Sequence, residues 1–291
     1  MRILQLATVD NGGATWFYKD ALEQHTNHDC RAIRTYQGWL DYPGDIVKPE
    51  LADLAKWYKW AEVIHLHDEA GSLIQNFKAK PTVITYHGTR YRSAPEQYNE
   101  RCAAKGWLVT VSTLDLTEWG GRWVPTPRRD VADDYNPARA FVVVHAPTDR
   151  ERKKTDLVID AVRQARGCKL RLLEGVPYRK CMQRKAIGRV LVDGWLGYGS
   201  NAVEAWALGM PVIGGASQDL QARMLEAWGY VPFMPIYPSR RSLMRALDSL
   251  KRHEGLYRHY QNKGRSHYLA YHHPYHVAQR LSKLYQEVIG W

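Results

Sequence analysis

Residues 193–215 read DGWLGYGSNAVEAWALGMPVIGG. The stretch leaves a strand, turns through glycines at 197 and 199, enters an alanine-rich helix and exits into a second apolar strand. Glycines at those positions let a ligand approach the backbone closely. A helix that starts near Ser200 aims the amides of Gly199, Ser200 and Asn201 into the turn, with Tyr198 between the two glycines. Such an N-terminus is an anion site, and a pyrophosphate fits it. One acid, Glu204, sits about a turn further in, among Ala202, Val203, Ala205, Ala207 and Leu208. A carboxylate buried there without a partner is expensive. Spacing alone leaves two readings open: an acid near the helix N-terminus that stabilises the dipole, or an acceptor for the two hydroxyls of a ribose beyond the phosphate.

The same grammar extends to both ends of the chain. RILQLAT (residues 2–8) is a buried strand followed by the loop VDNGGAT, with Gly12 and Gly13, and by the helical WFYKDALEQ. EVIHLH (62–67), PTVITYHG (81–88), WLVTVST (107–113) and RWVPTP (122–127) follow as strands, with helical segments such as PELADLAKWYKW between them. Strands alternating with helices argue a parallel, doubly wound sheet. The pattern breaks at TPRRDVADDYNPARA (126–140) and restarts with FVVVHAP, the amphipathic KTDLVIDAVRQAR, KLRLLEGV and RVLVDGW. MPVIGG and YVPFMPI read as strands, SRRSLMRALDSLKRH as a helix capped by Ser239, and HPYHVAQRLSKLYQEVIGW as a closing helix. The expected division is a first α/β domain over 1–130, a second over 138–270 and a terminal helix over 271–291, with a cleft between two similar domains.

The 291 residues are 45% hydrophobic and 24% charged, a globular composition, and the net charge of +11 favours anionic partners or a solvated basic surface. Eighteen Tyr and 11 Trp against four Phe suit bases, sugars and wet interfaces. The four cysteines show no CxxC spacing and read as reduced thiols, so no metal site is expected. MRILQLATV is too short for a secretory signal and no apolar run reaches a membrane span, so an intracellular, cytoplasmic protein is expected.

GYGSNAVEAWALGMPVI resembles the nucleotide-sugar motif of GT-B glycosyltransferases, above all family 4 and its relatives, in which a Gly-x-Gly turn precedes a helix reading EAMAxGxPVI. The resemblance implies two Rossmann-like domains, a terminal helix crossing back to the first, and a UDP-sugar donor. It implies that Glu204 holds the donor ribose, while the turn and helix start (Gly197, Tyr198, Gly199, Ser200, Asn201) hold the phosphates. VVVHAPTDRERKKTDLVIDAV resembles the family's next strand–loop–helix: Lys153 falls at its phosphate-binding lysine, Arg150 lies near, and Lys154 stands where the family has glycine. Fixed positive charge for a diphosphate leaving group removes the need for a metal or other cofactor. In the first domain NGGAT resembles the glycine loop that gives Gly12 and Gly13 a place beside the donor. TYHGTRYR resembles the strand-end HG whose histidine, here His87, faces the transferred sugar.

One departure from the family bears on the reaction. The acid eight residues before the ribose glutamate is Leu196 here, with Asp193 three residues earlier as a partial substitute. Retention of configuration is expected; an inverting reaction would need a base from Asp10, His67 or Asp68. Basic residues interleaved with aromatics, as in TYHGTRYRS and GLYRHYQNKGRSHYLAYHH, suit phosphate contacts with base stacking. They favour DNA as acceptor, for instance hydroxymethylated bases of viral DNA. A lipid acceptor at an anionic membrane, met by the KWYKW aromatics, a glycan or a protein stay open. So does a non-catalytic nucleotide-sugar or nucleic-acid binding protein. Glu204→Ala is expected to weaken nucleotide binding and leave the fold intact.

Overall fold

The computed structural model describes residues 1–291 except Asn11, Trp39, Leu196, Trp291 and the Thr89 side chain. The chain divides into two compact units: Met1–Pro127 joined by Tyr271–Trp291, and Arg128–Ala270. The first unit runs β1 (Arg2–Val9), α1 (Ala14–His25), β2 (Asp29–Tyr36), β3 (Ile46–Val47), α2 (Leu51–Trp60), β4 (Val63–His67), β5 (Thr82–Tyr86), α3 (Thr89–Ser93), α4 (Pro95–Ala104), β6 (Leu108–Val111) and β7 (Arg122–Trp123). The second runs β8 (Phe141–His145), α5 (Thr155–Gln164), β9 (Cys168–Leu172), α6 (Tyr178–Lys185), β10 (Val190–Val192), α7 (Ser200–Leu208), β11 (Val212–Gly214), α8 (Gln218–Trp228), β12 (Met234–Pro235), α9 (Arg240–Arg252) and α10 (Glu254–His267). The last helix, α11 (Pro274–Ile289), returns to the first unit.

Both sheets are parallel. The first has the order β3-β2-β1-β4-β5-β6-β7 and the second β12-β11-β10-β8-β9. Strands β4 and β5 are buried along their whole length, as expected where helices cover both faces. On one face of the first sheet α1 and α11 pack Tyr18, Leu22, Leu281 and Tyr285 over Ile3, Val63 and Val83. On the other, α2 contributes Leu54 and Tyr58 against Leu4, Ile64 and Ile84. In the second unit Val158 and Val162 of α5 join Leu243 and Leu247 of α9 on Val143 and Val192.

Strands β2 and β3 and helices α6, α8 and α10 have no counterpart in the sequence reading. DCRAIRTY carries Asp29, Arg31 and Arg34 and lacks a clean alternation. It is a strand because Arg34 is buried with partners: its guanidinium donates to the Gln37 side chain at 2.9 Å and to the Tyr42 carbonyl. Helix α9 begins as expected, with the Ser239 hydroxyl accepting from the Ser242 amide at 3.1 Å. Helix α11 starts at Pro274, a residue suited to the first helical position, behind a His273 cap.

Candidate functional site

In open parallel sheets, ligands sit at the carboxyl ends of strands where the strand order reverses. That point lies between β1 and β4 in the first unit and between β8 and β10 in the second. The sequence-derived candidates gather at those two places: Asp10, Gly12, Gly13, His67, Asp68 and His87 at one, Arg150, Lys153, Asp193 and the start of α7 at the other.

In the second unit, Asp193 organises the strand end. It is 2% exposed; its Oδ1 accepts from Lys153 Nζ at 2.5 Å and its Oδ2 from the Gly199 amide at 2.9 Å. Burial pushes its pKa up, but the Lys153 charge and these hydrogen bonds outweigh burial and hold it below the usual carboxylate range. One carboxylate thereby ties a lysine to the entrance of a nine-residue helix. The close approach needs glycine at 194, where an added Cβ would lie 2.9 Å from Lys153 Nζ. Gly197 has φ +86, and a Cβ there would meet the Leu220 side chain at 2.8 Å. The amides of Ser200 and Asn201 are in the first turn, where helical amides have no intrahelical acceptor. Asp193 is therefore engaged with Lys153 and Gly199; Leu196, where the resembling family has an acid, lies outside the described residues.

Several expected donor contacts have other occupations. The Tyr198 ring is buried against Trp206, Trp228, Phe233 and His267, so its side chain serves the core and the backbone alone stays with the turn. Asn201 donates to the Ala146 carbonyl at 2.7 Å and accepts from Lys185 Nζ at 2.5 Å. Arg150 is half exposed and paired with Glu174 and Asp156, at 2.7 and 2.6 Å.

Glu204 has partners of its own. Its Oε2 accepts from Lys185 Nζ and its Oε1 from Arg128 Nε at 3.3 Å, with all three side chains at most 4% exposed. Sequence reasoning missed Lys185 and Arg128. Lys185 ends the polar stretch YRKCMQRK, whose charges otherwise suggest a solvated helix, yet it alone of α6 is buried. The only hint was the cost of leaving Glu204 unpaired. Breaking such a buried arrangement by removing one member strands the others, so Glu204→Ala is expected to cost stability as well as nucleotide binding.

In the first unit the glycine loop is held from Asp10. Its carboxylate accepts from the amides of Ala14 at 2.7 Å and Thr15 at 3.0 Å, and from the Thr15 hydroxyl. Asp10 thus holds the first amides of α1 from the loop ahead of the Gly13 cap position, and is 6% exposed. Gly13 has φ +67, and a Cβ there would overlap the Tyr42 ring. At the end of β4, Asp68 Oδ1 accepts from the His87 amide at 2.9 Å and fixes the turn after β5. His87 Nε2 lies 2.8 Å from His67 Nδ1 with the rings nearly coplanar, 9° apart. His67 is 3% exposed and engaged through both nitrogens, one of them with His87.

The interleaved arginines and aromatics are largely used inside each unit. Tyr86 and Tyr91 are buried and stacked at 4.5 Å, Arg92 donates to Asp115 at 2.7 Å, and Arg90 pairs with Glu69. Tyr257 and Tyr268 are buried, and Arg265 pairs with Asp130 at 2.6 Å. In KWYKW, Tyr58 is buried on Phe77 while Arg31 stacks over Trp57 and Trp60. Among the described residues no His, Cys, Asp or Glu cluster is arranged to hold a metal ion, and no helix is long and apolar enough to cross a membrane.

No protein-family model matches the chain, and no curated protein matches it. Solved structures do match over its whole length. A sucrose-phosphate synthase from Thermosynechococcus elongatus superposes with a TM-score of 0.69 at 14% identity, covering 100% of both chains. Anabaena HepE in complex with UDP-glucose gives 0.69 at 13% identity, covering 99% of this chain and 100% of that one. An alpha-glucosyltransferase in complex with UDP and a 13-mer DNA containing an HMU base gives 0.69 at 10% identity, covering 100% of both. The chain has the GT-B fold of these glycosyltransferases.

Proposed function

We propose that the protein is a glycosyltransferase that moves a sugar from a nucleotide-sugar, by preference a UDP-sugar, to an acceptor hydroxyl. The observation that carries this reading is the fixing of Lys153 at the entrance of α7 by Asp193, at the strand-order reversal of the second sheet. An ammonium has three hydrogens, and Asp193 takes one. The others, with the amides of Ser200 and Asn201, suit a diphosphate and stabilise charge as it develops on the leaving group. His87 is the group of the first unit that meets the sugar, and Glu204 takes the ribose hydroxyls with lone pairs that Lys185 and Arg128 leave over.

The finer reading keeps retention of configuration and a hydroxymethylated DNA base as acceptor. Net charge and the fold shared with the DNA-bound alpha-glucosyltransferase support it. The burial of Tyr86, Tyr91, Tyr257 and Tyr268 removes the stacking rings from its support and brings lipid, glycan and protein acceptors forward.

The test is a transfer assay with UDP- and GDP-sugars on hydroxymethylated and unmodified DNA, read as digested nucleosides by mass spectrometry. A hexose or pentose mass on the modified base alone is the expected result. Donor hydrolysis without addition keeps the glycosyltransferase and discards DNA. Tight donor binding without hydrolysis or transfer overturns the enzyme and leaves a binding protein.

A further inference from the structure

Each of four adjacent strands of the first sheet has a polar side chain in an otherwise apolar core: Gln5 in β1, His65 and His67 in β4, Thr85 in β5 and Thr110 in β6. Register brings them level, with Gln5 opposite His65, His67 opposite Thr85, and Thr85 opposite Thr110. Helix α11 adds the Tyr285 hydroxyl, and all six side chains are essentially buried.

The direction of every hydrogen bond among them follows from one end. The Ile84 carbonyl only accepts, so the Thr110 hydroxyl donates to it, at 3.0 Å. Thr110 then accepts from the Thr85 hydroxyl at 2.5 Å. With its hydrogen committed, Thr85 accepts from His65 Nε2 at 2.6 Å. Burial holds His65 neutral, with a pKa of about 3, so its Nδ1 accepts from Tyr285 at 2.6 Å. The phenol oxygen accepts from Gln5 Nε2 at 3.0 Å, which leaves Gln5 Oε1 to accept from His67 Nε2 at 2.8 Å. Burial also pushes the His67 pKa well down, so neutral His67 presents Nδ1 as an acceptor to His87 Nε2 at 2.8 Å.

We propose that this network is a one-way relay that sets neutral His87 as the Nε2–H tautomer, so that at the strand end His87 offers its ligand a lone pair on Nδ1. Gln5, Tyr285, Thr85 and Thr110 are positioning residues that act through His67. The sugar as ligand rests on the proposed function; the tautomer does not. A hydroxyl placed against Nδ1 acts as donor there, which gives the contact a polarity that a lone histidine lacks.

The opposite orientation inverts each link from Thr110 onward and sacrifices the bond to Ile84, so the assigned tautomer is expected in excess by roughly tenfold. Replacing Thr110 by Val reverses the balance: Thr85 loses its acceptor and its hydroxyl turns to His65 Nε2, which drives the chain backwards. Nitrogen-15 NMR of histidine-labelled full-length protein at alkaline pH reads this directly, with His87→Gln to assign the signal. The expected wild-type spectrum shows His87 protonated on Nε2. T110V moves it toward Nδ1–H, Thr110→Ser preserves the wild-type pattern, and Tyr285→Phe makes it insensitive to T110V. A wild-type His87 protonated on Nδ1 overturns the proposal, as does a T110V spectrum identical to that of T110S. Should T110V fail to fold, the wild-type tautomer still decides. No donor or acceptor is present, so failure of sugar transfer and failure of the relay are separate results.

Discussion

The two strand-order reversals are built from different chemistry. At the first, apart from the Asp10 carboxylate that holds the start of α1, buried polarity is a neutral chain: imidazoles, a carboxamide, a phenol and hydroxyls joined end to end. At the second, buried polarity is ionic: Glu204 with Lys185 and Arg128, Asp193 with Lys153. A neutral chain fixes direction, because each donor needs one acceptor. An ionic cluster fixes charge, which suits a site for a diphosphate but makes each member dependent on the rest.

The largest difference is expected on truncation. Glu204→Ala leaves two cations buried together and is expected to destabilise the second unit by about 3–5 kcal/mol. Gln5→Leu in the first unit leaves two partners unsatisfied and is expected to cost about 1–3 kcal/mol. Urea unfolding followed by exchange protection in β1 and in β10 separates the two, and equal losses would erase the contrast. Glu204→Gln, which keeps the shape, is the variant for the ribose assignment: nucleotide affinity equal to wild type would remove Glu204 from the donor site.

Acid separates the units next. His65 and His67 have folded pKa values below the ordinary histidine value, His65 at about 3, with burial the main cause in both. A depressed folded value means their contribution is complete above about pH 6.5 and is lost as pH falls toward the folded pKa. Each imidazole removes about 1.4 kcal/mol per pH unit in that window. Asp193 is also depressed, but its contribution is lost only as pH falls below the carboxylate range, about 3.9. Between pH 7 and 5 the urea midpoint for β1, β4 and β5 is expected to fall, and His65→Phe to flatten that fall. A midpoint that does not move with pH would mean that the imidazoles are not held neutral.

Much of this was legible in the sequence, for physical reasons that can be named. Glycines 13 and 197 marked turns because their backbones are left-handed, and Ser239 marked a helix start because it caps one. What stayed hidden depends on register and distance. Gln5, His65, Thr85 and Thr110 each look like a blemish in an apolar strand; only the pairing of the strands aligns them. Lys185 lies 19 residues from Glu204 in a helix whose other charges face solvent, so nothing local marks it as the partner. Aromatics between arginines suggested a nucleic-acid surface, yet Tyr86 and Tyr91 face the core, because composition does not say which way a ring points.

The glycine loops give the smallest and sharpest contrast. In the first unit Gly13 keeps a left-handed backbone where any side chain would strike Tyr42. In the second, the corresponding turn before α5 has Lys154 at φ 47 and ψ 49, in the position where the resembling family has glycine. A left-handed conformation costs an L-residue about 1–2 kcal/mol. Glycine returns about 0.5–1 kcal/mol of that as lost chain entropy. Lys154→Gly is therefore expected to stabilise the second unit by roughly 0.5–1 kcal/mol, read as a raised Tm, while Gly13→Ala lowers it. If Lys154→Gly raises Tm but weakens donor binding, the lysine is kept at the cost of strain because its charge, one residue from Lys153, belongs to the diphosphate site. A raised Tm with unchanged donor binding makes Lys154 a tolerated replacement and leaves Lys153 as the cation that matters.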